Sequence, residues 1–310
     1  MTKLSLIYRA EMRAIRRFGH LNVFALDETR MRRWLNRYGV HQPRGVPKFV
    51  RVRHRVTRQT IAGCPCPCIE PRGGWQEGDP VVLFLHGGGL IFEALPVHWM
   101  AASKIVRSTG ARVVFPAYPL LPKATIYESS DAVLEVYRHI RTLHASETIT
   151  VLGDSSGAAL AVMLTHTILR HEPELGVPRQ LILASPPQAV VDDPLVRARM
   201  EAQQATDAMI PFSLLGVLEA LMPVREGRDS YYATPLEGSF DGFPPTTILS
   251  GTAEVFYPLM EGFISRLRAA NVSVTYYPGT DLCHVYPYIP AAREGQAGLA
   301  HIIKAIAQKM

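Results

Sequence analysis

The 310-residue chain has little of what several protein classes require. It has four cysteines, which are too few for a disulfide scaffold at this length: three lie in Cys64-Pro-Cys66-Pro-Cys68 and the fourth is Cys283. No histidine and no second ligand pair accompany the Cys64–Cys68 run, so we interpret it as a short extended segment rather than a metal site. No uncharged apolar run reaches the roughly 18 residues of a membrane span, and Glu11 and Arg13 interrupt any signal-like stretch. We therefore expect a cytoplasmic protein without stable membrane insertion.

The charge balance is a weak signal. Lys and Arg number 33 against 27 Asp and Glu, which leaves a net charge of +6. Fifteen of the 33 basic residues lie in the first 60 residues, with Glu11, Asp27 and Glu28 among them, and no nucleic-acid-reading motif accompanies them. Hydrophobic residues make up 47% of the chain, which excludes intrinsic disorder and allows a large core. We predict a globular protein without a nucleic-acid partner.

Strand and helix patterns alternate from about residue 80. Continuous apolar runs predict strands buried on both faces, and helical spacing predicts the helices between them. The predicted strands are 81–85, 111–115, 148–152, 180–184, 246–250 and 273–277, and the predicted helices are 101–108, 131–143, 156–170, 258–269 and 292–308. This order predicts a doubly wound, mostly parallel α/β sheet with helices on both faces.

Four other stretches depart from this alternation. Residues 4–18 place apolar side chains at helical spacing with arginines opposite, which predicts an amphipathic helix that covers a core or pocket rather than a membrane surface. A second helix is predicted over 27–38 with Asp27 as its cap. Residues 49–69 are predicted to be extended. Between residues 186 and 243 the pattern is helical, which predicts an inserted segment.

Gly153-Asp-Ser155-Ser-Gly157 matches the G-x-S-x-G pattern, and its context makes it specific. An apolar strand precedes it and an apolar helix follows, so Ser155 is predicted to lie on a strained strand-to-helix turn above the sheet edge. Glycines are needed at both ends, because a Cβ there would clash with the neighbouring strand and helix. The dipole of the following helix favours negative charge at this serine. Ser155 is the predicted nucleophile.

His86-Gly87-Gly88-Gly89 follows the strand at 81–85. Consecutive glycines allow backbone N–H groups to approach an anion, such as the oxyanion of a carbonyl under attack. The spacings of phosphate-binding glycine loops do not occur here. We interpret His86 as a structural residue that holds the loop.

A serine nucleophile needs a base and an orienting carboxylate, and in this strand-turn-helix class both follow the serine in the chain. Between residues 243 and 280 there is no aspartate, and Glu254 follows a strand whereas Glu261 falls inside a helix. Glu254 is therefore the predicted acid, with Asp281 as its rival. His284 lies in a loop after a strand and is the predicted base, whereas His301 falls in the last helix and is predicted to be a surface residue.

These residues together resemble the hormone-sensitive-lipase-like group of α/β-hydrolases over about residues 45–310. The resemblance rests on five motifs of this sequence, namely His86-Gly-Gly-Gly89, Gly153-Asp-Ser-Ser-Gly157, Ser185-Pro-Pro187, Phe243-Pro-Pro245 and His284-Val-Tyr286. It implies a single α/β-hydrolase domain in which about 1–43 and 186–242 form a cap and about 44–185 and 243–310 form the catalytic core. It implies that the N–H groups of Gly87, Gly88 and Ser156 form the oxyanion hole. A homodimer through the last strand and helix is plausible by the same resemblance.

The sequence departs from the family pattern at three places. The chain reads Ala117-Tyr-Pro-Leu-Leu-Pro122 where the family usually carries an Asp and an Arg. The family acid is usually Asp with a second carboxylate nearby, whereas this chain reads Glu254-Val-Phe-Tyr257. Leu90 replaces the aromatic residue that usually follows the glycines.

We predict a serine carboxylesterase that acts on short- to medium-chain esters through a Ser155, His284, Glu254 triad, without metal or cofactor. Two alternatives remain open. An amidase or deacetylase would use the same triad, and nothing in the sequence separates it from an esterase. A non-catalytic small-molecule receptor of the same fold would have lost the histidine, whereas His284 is present here.

Overall fold

The computed structural model describes residues 4–18, 24–38, 45–221, 227 and 229–308. Its strands, in chain order, are β1 (Arg55–Thr57), β2 (Thr60–Ile61), β3 (Cys64–Pro65), β4 (Cys68–Glu70), β5 (Val81–Leu85), β6 (Arg112–Val114), β7 (Ile149–Asp154), β8 (Gln180–Ala184), β9 (Thr246–Gly251) and β10 (Val274–Gly279). Its α-helices are α1 (Leu6–Phe18), α2 (Glu28–Tyr38), α3 (Lys48–Arg53), α4 (Pro96–Thr109), α5 (Ile126–Leu143), α6 (Ser156–His171), α7 (Pro194–Gln203), α8 (Leu214–Leu221), α9 (Leu259–Ala269) and α10 (Arg293–Ala307).

Eight of these strands form one sheet in the order β1-β4-β6-β5-β7-β8-β9-β10. Strand β4 is antiparallel to both of its neighbours, and all other adjacent pairs are parallel. Strands β2 and β3 form a separate hairpin that contains the start of the cysteine run. The predicted mostly parallel α/β sheet is therefore confirmed. Strand β10 is an edge strand, and the homodimer through this edge stays a prediction.

The central strands are buried on both faces because helices cover the two sides of the sheet. Every residue of β5 is buried. Its odd-numbered residues, such as Leu83, pack into the core with α5 and α6, whereas the even-numbered Val82 and Phe84 pack into the core with α4 and α10. Side chains alternate across a strand, so one continuous apolar run contributes to two separate cores. This is why the run lacks the polar alternation of a strand with one wet face.

Three helices differ from their predictions. Helix α4 begins at Pro96 rather than at 101, because a proline is well suited to the first helical position. The segment after Pro47 is a short helix, α3, so the extended prediction from Phe49 was wrong over Lys48–Arg53. Helix α5 begins at Ile126 rather than 131, because Thr125 and Glu128 form a reciprocal cap in which each side chain accepts from the other's backbone N–H. Sequence periodicity is a poor guide to such ends, since a capping pair adds a turn without adding an apolar stripe.

The N-terminal helices and the inserted segment lie near the C-terminal ends of the parallel strands. Tyr8 of α1 is buried, and its hydroxyl accepts from the N–H of Cys283 at 2.6 Å. Asp27 accepts from the N–H of Arg30 at 2.8 Å, as predicted for a cap. The inserted segment is helical over α7 and α8, as predicted. Parts of the predicted cap (1–3, 19–23, 39–43, 222–226 and 228) lie outside the described residues, and its boundaries stay a prediction.

Within the described ranges, no helix combines the length and the apolar character needed to cross a membrane. The four cysteines are free thiols and all are buried. Cys64 and Cys68 lie on strands β3 and β4, so the interpretation of the run as an extended segment is confirmed.

Candidate active site

Ser155 lies at the turn between β7 and α6, at the C-terminal edge of the sheet. Its backbone adopts φ 48° and ψ −126°, a strained conformation for a residue with a side chain. A Cβ on Gly157 would lie 2.1 Å from the carbonyl oxygen of Leu85, and a Cβ on Gly153 would lie 2.4 Å from the carbonyl oxygen of Gly157. The close approach of strand and helix therefore requires both glycines, as predicted.

Ser155, His284 and Glu254 form a continuous hydrogen-bonded chain. A carboxylate can only accept, so His284 Nδ1–H donates to Glu254 Oε2 at 2.9 Å, and Nε2 is left to accept from Ser155 Oγ–H, also at 2.9 Å. Glu254 is 0% exposed and His284 is 3% exposed. The fold brings together three side chains that are separated by 99 and 30 positions in the sequence.

The electrostatics of this chain favour a basic imidazole. Burial acts to lower the pKa of His284, but the hydrogen bond and charge of Glu254, together with the charges of Asp207 and Asp154, outweigh it, so the pKa is raised above its ordinary 6.5. Burial raises the pKa of Glu254, and the hydrogen bond with His284 opposes this effect. The carboxylate therefore stabilises the imidazolium that forms when His284 accepts a proton.

The rival residues lie elsewhere. The Asp281 side chain is exposed, and the backbone N–H of Asp281 donates to Thr252 Oγ1 at 2.9 Å. Glu261 is exposed and pairs with Arg199 at 3.1 Å. His301 lies in α10 and stacks on Tyr277 of β10, with 3.9 Å between ring centroids.

The loop after β5 lies beside Ser155. His86 is buried, and its Nδ1 lies 2.8 Å from the carbonyl oxygen of Gly87. The Tyr118 hydroxyl donates to the carbonyl oxygen of His86. Burial lowers the pKa of His86 to about 4, so the ring is neutral near pH 7 and fits a structural role. A Cβ on Gly87 would lie 2.2 Å from Asp154 Oδ2, so this glycine allows the loop to pack on the nucleophile turn.

An apolar cavity of about 370 Å³ opens in front of Ser155. Gly88, Gly89 and Ser156 lie in its wall, whereas Gly87 does not. Among the described residues, the N–H groups of these three wall residues donate to no other protein atom. The rest of the wall is mostly aliphatic and aromatic, and it includes side chains of α1, of the inserted segment and of the loops after the strands. Its apolar residues include Ile15, Phe24, Leu95, Ile126, Met163, Met209, Ile210, Leu214, Leu218, Phe256, Val285 and Ile289.

Sequence reasoning missed several residues that support this site. Leu95 N–H donates to His98 Nδ1 at 2.9 Å, so His98 Nε2–H donates to Asp154 Oδ2 at 3.2 Å, directly before the nucleophile. Ser185 Oγ accepts from the N–H of Val285 at 2.9 Å and so fixes the loop of the base. The Ser-Pro-Pro motif singled out that serine, but no local pattern pointed to His98.

A third carboxylate, that of Asp207 in the inserted segment, reaches the acid loop, which is the loop after β9 that carries Glu254 (residues 253–257). Its Oδ2 accepts from the N–H of Val255 at 2.8 Å, next to Glu254. No signal near residue 207 in the sequence indicates this contact. The described residues contain no group of three or more His, Cys, Asp or Glu side chains placed to hold a metal ion. The absence of a cofactor stays a prediction.

The mostly parallel sheet and the Ser155, His284, Glu254 arrangement are typical of α/β-hydrolases, and comparisons with known proteins agree with this class. Residues 82–288, more than half of the chain, match a family described as the alpha/beta hydrolase fold. The chain therefore belongs to the α/β-hydrolase family.

Curated relatives and solved structures extend this likeness. An esterase of Acinetobacter venetianus is 27% identical over 71% of this chain and 73% of its own length. Esterase LipU of Mycobacterium tuberculosis is 28% identical over 64% of this chain and 68% of its own length. A solved structure of an esterase from the bacterial hormone-sensitive lipase family superposes with a TM-score of 0.76 at 20% identity, covering 99% of both chains. The predicted family resemblance, fold and enzyme class, a carboxylic ester hydrolase, are confirmed.

Proposed function

We propose that this chain is a serine carboxylesterase that cleaves short- to medium-chain esters through a covalent acyl-enzyme. The observation that carries the proposal is the unbroken hydrogen-bonded chain from Ser155 through His284 to Glu254 at the wall of an apolar cavity. Nucleophile, base and orienting acid lie at hydrogen-bonding distance, which is the geometry that acyl transfer requires.

In the first half of the reaction, Ser155 Oγ attacks the ester carbonyl carbon while its proton passes to His284 Nε2. Glu254 holds the ring in the tautomer that leaves Nε2 free and stabilises the imidazolium. The tetrahedral intermediate collapses when His284 gives that proton to the alcohol oxygen. The carbon–oxygen bond breaks, the alcohol leaves, and the acyl group stays on Ser155.

In the second half, water takes the place of the alcohol. It attacks the acyl carbon while His284 Nε2 accepts its proton. The second tetrahedral intermediate then collapses, the bond between the acyl carbon and Ser155 Oγ breaks, and His284 Nε2 gives the proton back to Ser155 Oγ. The carboxylic acid is released and the resting triad is restored. Every proton transfer uses Nε2, which agrees with the Nδ1–H bond to Glu254 in the resting site.

The oxyanion of both intermediates would be held by backbone N–H groups. Of the predicted donors, Gly88 and Ser156 lie in the cavity wall. For the second donor of the glycine loop we favour Gly89 over the predicted Gly87, because Gly89 lines the cavity whereas Gly87 packs against Asp154. Such donors act without reorganisation, and removing one costs about 100- to 1,000-fold in rate.

The size and lining of the cavity support the substrate range. At about 370 Å³ it lies near the lower end for ligand pockets. Ile15 from α1 and Met209, Leu214 and Leu218 from the inserted segment form part of its wall. This supports the proposal that the N-terminal helices and the inserted segment act as a cap that selects a small apolar acyl or alcohol group.

The test is hydrolysis of p-nitrophenyl esters of two to twelve acyl carbons by the purified protein. A solved structure of similar fold, EstE5 (TM-score 0.78, 19% identical, 98% of both chains), was soaked with p-nitrophenyl butyrate, which makes that ester a sensible starting point. We expect Ser155→Ala and His284→Ala to abolish turnover and the matched control His301→Ala to retain it. Full activity of the Ser155→Ala variant would refute the mechanism.

The same assay separates the esterase from the amidase alternative. Each ester is paired with the anilide or amide of the same acid. Faster hydrolysis of the esters supports the proposal. Hydrolysis of the amides at equal or higher kcat/KM would assign an amidase with the same triad.

A further inference from the structure

Asp207 lies between α7 and α8, and its carboxylate accepts three backbone N–H groups. Oδ1 accepts from Met209 at 2.7 Å and Ile210 at 2.9 Å, which stabilises the local turn. Oδ2 accepts from Val255 at 2.8 Å, 48 positions along the chain. The side chain is buried, so these bonds are sheltered from water. One carboxylate thus links the inserted segment to the acid loop.

The same turn holds the acid loop on both sides of Glu254. Thr206 Oγ1 donates to the carbonyl of Ala253 at 3.4 Å, while Asp207 binds the N–H that follows Glu254. Arg16 of α1 in turn donates to the carbonyl of Thr206 at 2.9 Å. The backbone that carries the acid is therefore fixed from a segment outside the sheet.

This support matters because the acid is a glutamate. Its side chain has one more rotatable bond than aspartate, so the position of its carboxylate depends on where the backbone of residues 253–255 is held. The loop Glu254-Val-Phe-Tyr257 contains no second carboxylate of its own. Asp207 supplies a second carboxylate beside this loop, because the fold brings it to the N–H of Val255.

Three carboxylates influence His284: Glu254 in direct contact, Asp207 from the inserted segment, and Asp154 from the end of β7. The charges of Asp207 and Asp154 both act to raise the pKa of His284, after the larger effects of burial and of Glu254. Asp154 also lies beside His98, whereas the hydrogen bonds of Asp207 within the described part of the chain all come from backbone N–H groups.

We propose that Asp207 is a positioning residue of the hydrolytic site, which fixes the loop of Glu254 from the inserted segment. The inference rests on the proposed function, because it assigns Asp207 to the triad of that reaction. It gives the turn at Thr206 and Asp207 a role in positioning the acid, which the other described residues of the inserted segment do not share.

Two variants of Asp207 test this role against a matched control. Asp207→Asn keeps the shape and removes the charge. Asp207→Ser keeps a short acceptor for the N–H groups of the local turn but cannot reach the N–H of Val255. It therefore distinguishes the effect of losing the bond to the acid loop from the effect of losing the local turn. The control is Asp193→Asn, because Asp193 accepts from the N–H of Leu195 and Val196 at the start of α7, in the same segment.

We expect both Asp207 variants to lower kcat for p-nitrophenyl butyrate by roughly tenfold or more while KM changes by less than about threefold. The acid limb of the kcat/KM profile should move to lower pH, because a negative charge that favours imidazolium is gone. Asp193→Asn should leave kcat and the acid limb unchanged. Wild-type kcat and acid limb in both Asp207 variants, or an equal loss in the control, would overturn the assignment.

An NMR titration of the His284 ring keeps this test independent of turnover. Asp207→Asn should lower the pKa of His284, and an unchanged pKa would overturn the inference even if the wild-type protein hydrolyses no ester. Absence of esterase activity in the wild type would refute the proposed function instead. The two failures are therefore distinguishable.

Discussion

The strongest test of the predicted acid is Glu254→Gln, which preserves the volume of the side chain and removes its charge. Glu254 is fully buried and its Oε2 lies 2.9 Å from His284 Nδ1, so the centres of charge in the imidazolium–carboxylate pair are about 4 Å apart. With an effective dielectric constant of about 20, the attraction is worth about 4 kcal/mol. This corresponds to about a thousandfold in rate if it is expressed fully in the transition state.

The substitution should also change the pH dependence. Glu254 raises the pKa of His284, and the free enzyme needs neutral His284 as its base. Removing the carboxylate should therefore lower that pKa and move the acid limb of kcat/KM to lower pH, while the maximal rate falls. The assay is initial-rate hydrolysis of p-nitrophenyl butyrate across the pH range, read at a wavelength where nitrophenol and nitrophenolate absorb equally.

The control is Glu261→Gln, because Glu261 is an exposed glutamate that pairs with Arg199. It should keep wild-type kinetics, since exposed ion pairs contribute little. Less than a tenfold loss in Glu254→Gln, together with a large loss in Asp281→Asn, would reverse the assignment of the acid.

Three further predictions follow from the geometry. Gly157→Ala places a methyl group 2.1 Å from a main-chain carbonyl oxygen of β5. It should lower the free energy of unfolding, measured by urea denaturation, by about 3 kcal/mol or more. The control is Gly216→Ala in α8, whose methyl group meets no atom within 4 Å and which should be neutral or stabilising by up to about 1 kcal/mol. Leu218→Trp fills part of the cavity and should lower the ratio of octanoate to butyrate kcat/KM, whereas Trp at the exposed Leu195 should not. In the wild type, the acid limb of kcat/KM should lie above pH 6.5, because the pKa of His284 is raised, and a limb well below that value would contradict the Glu254–His284 pairing.

Most of the sheet could be predicted from the sequence, and so could the three residues of the proposed triad, because their signals are local. A strand buried on both faces is a continuous apolar run, as in Val81–Leu85, and the nucleophile turn is a strand, five residues with two glycines, and a helix. Chain order then limited the acid and base to a few candidates, and strand ends separated Glu254 from Glu261.

The rest depends on contacts between segments that are distant in sequence. Asp207 is one aspartate in a helical stretch, and only the folded chain shows that its carboxylate binds the N–H of Val255. His98 lies inside α4, and its bond to Asp154 requires the loop after β5 to pack on the nucleophile turn. Helix α3 is six residues long, too short for a period to be read. These features follow from tertiary packing, which no local sequence pattern predicts.

In the proposed reaction, Ser155 carries the acyl group of the covalent intermediate. The most direct measurement is intact-protein mass spectrometry after reaction with a p-nitrophenyl alkylphosphonate, followed by peptide mapping. We expect one phosphonyl adduct, located on Ser155, with loss of esterase activity in the same proportion and no adduct on the Ser155→Ala variant. Labelling of another residue, or an unlabelled and fully active wild-type protein, would contradict it.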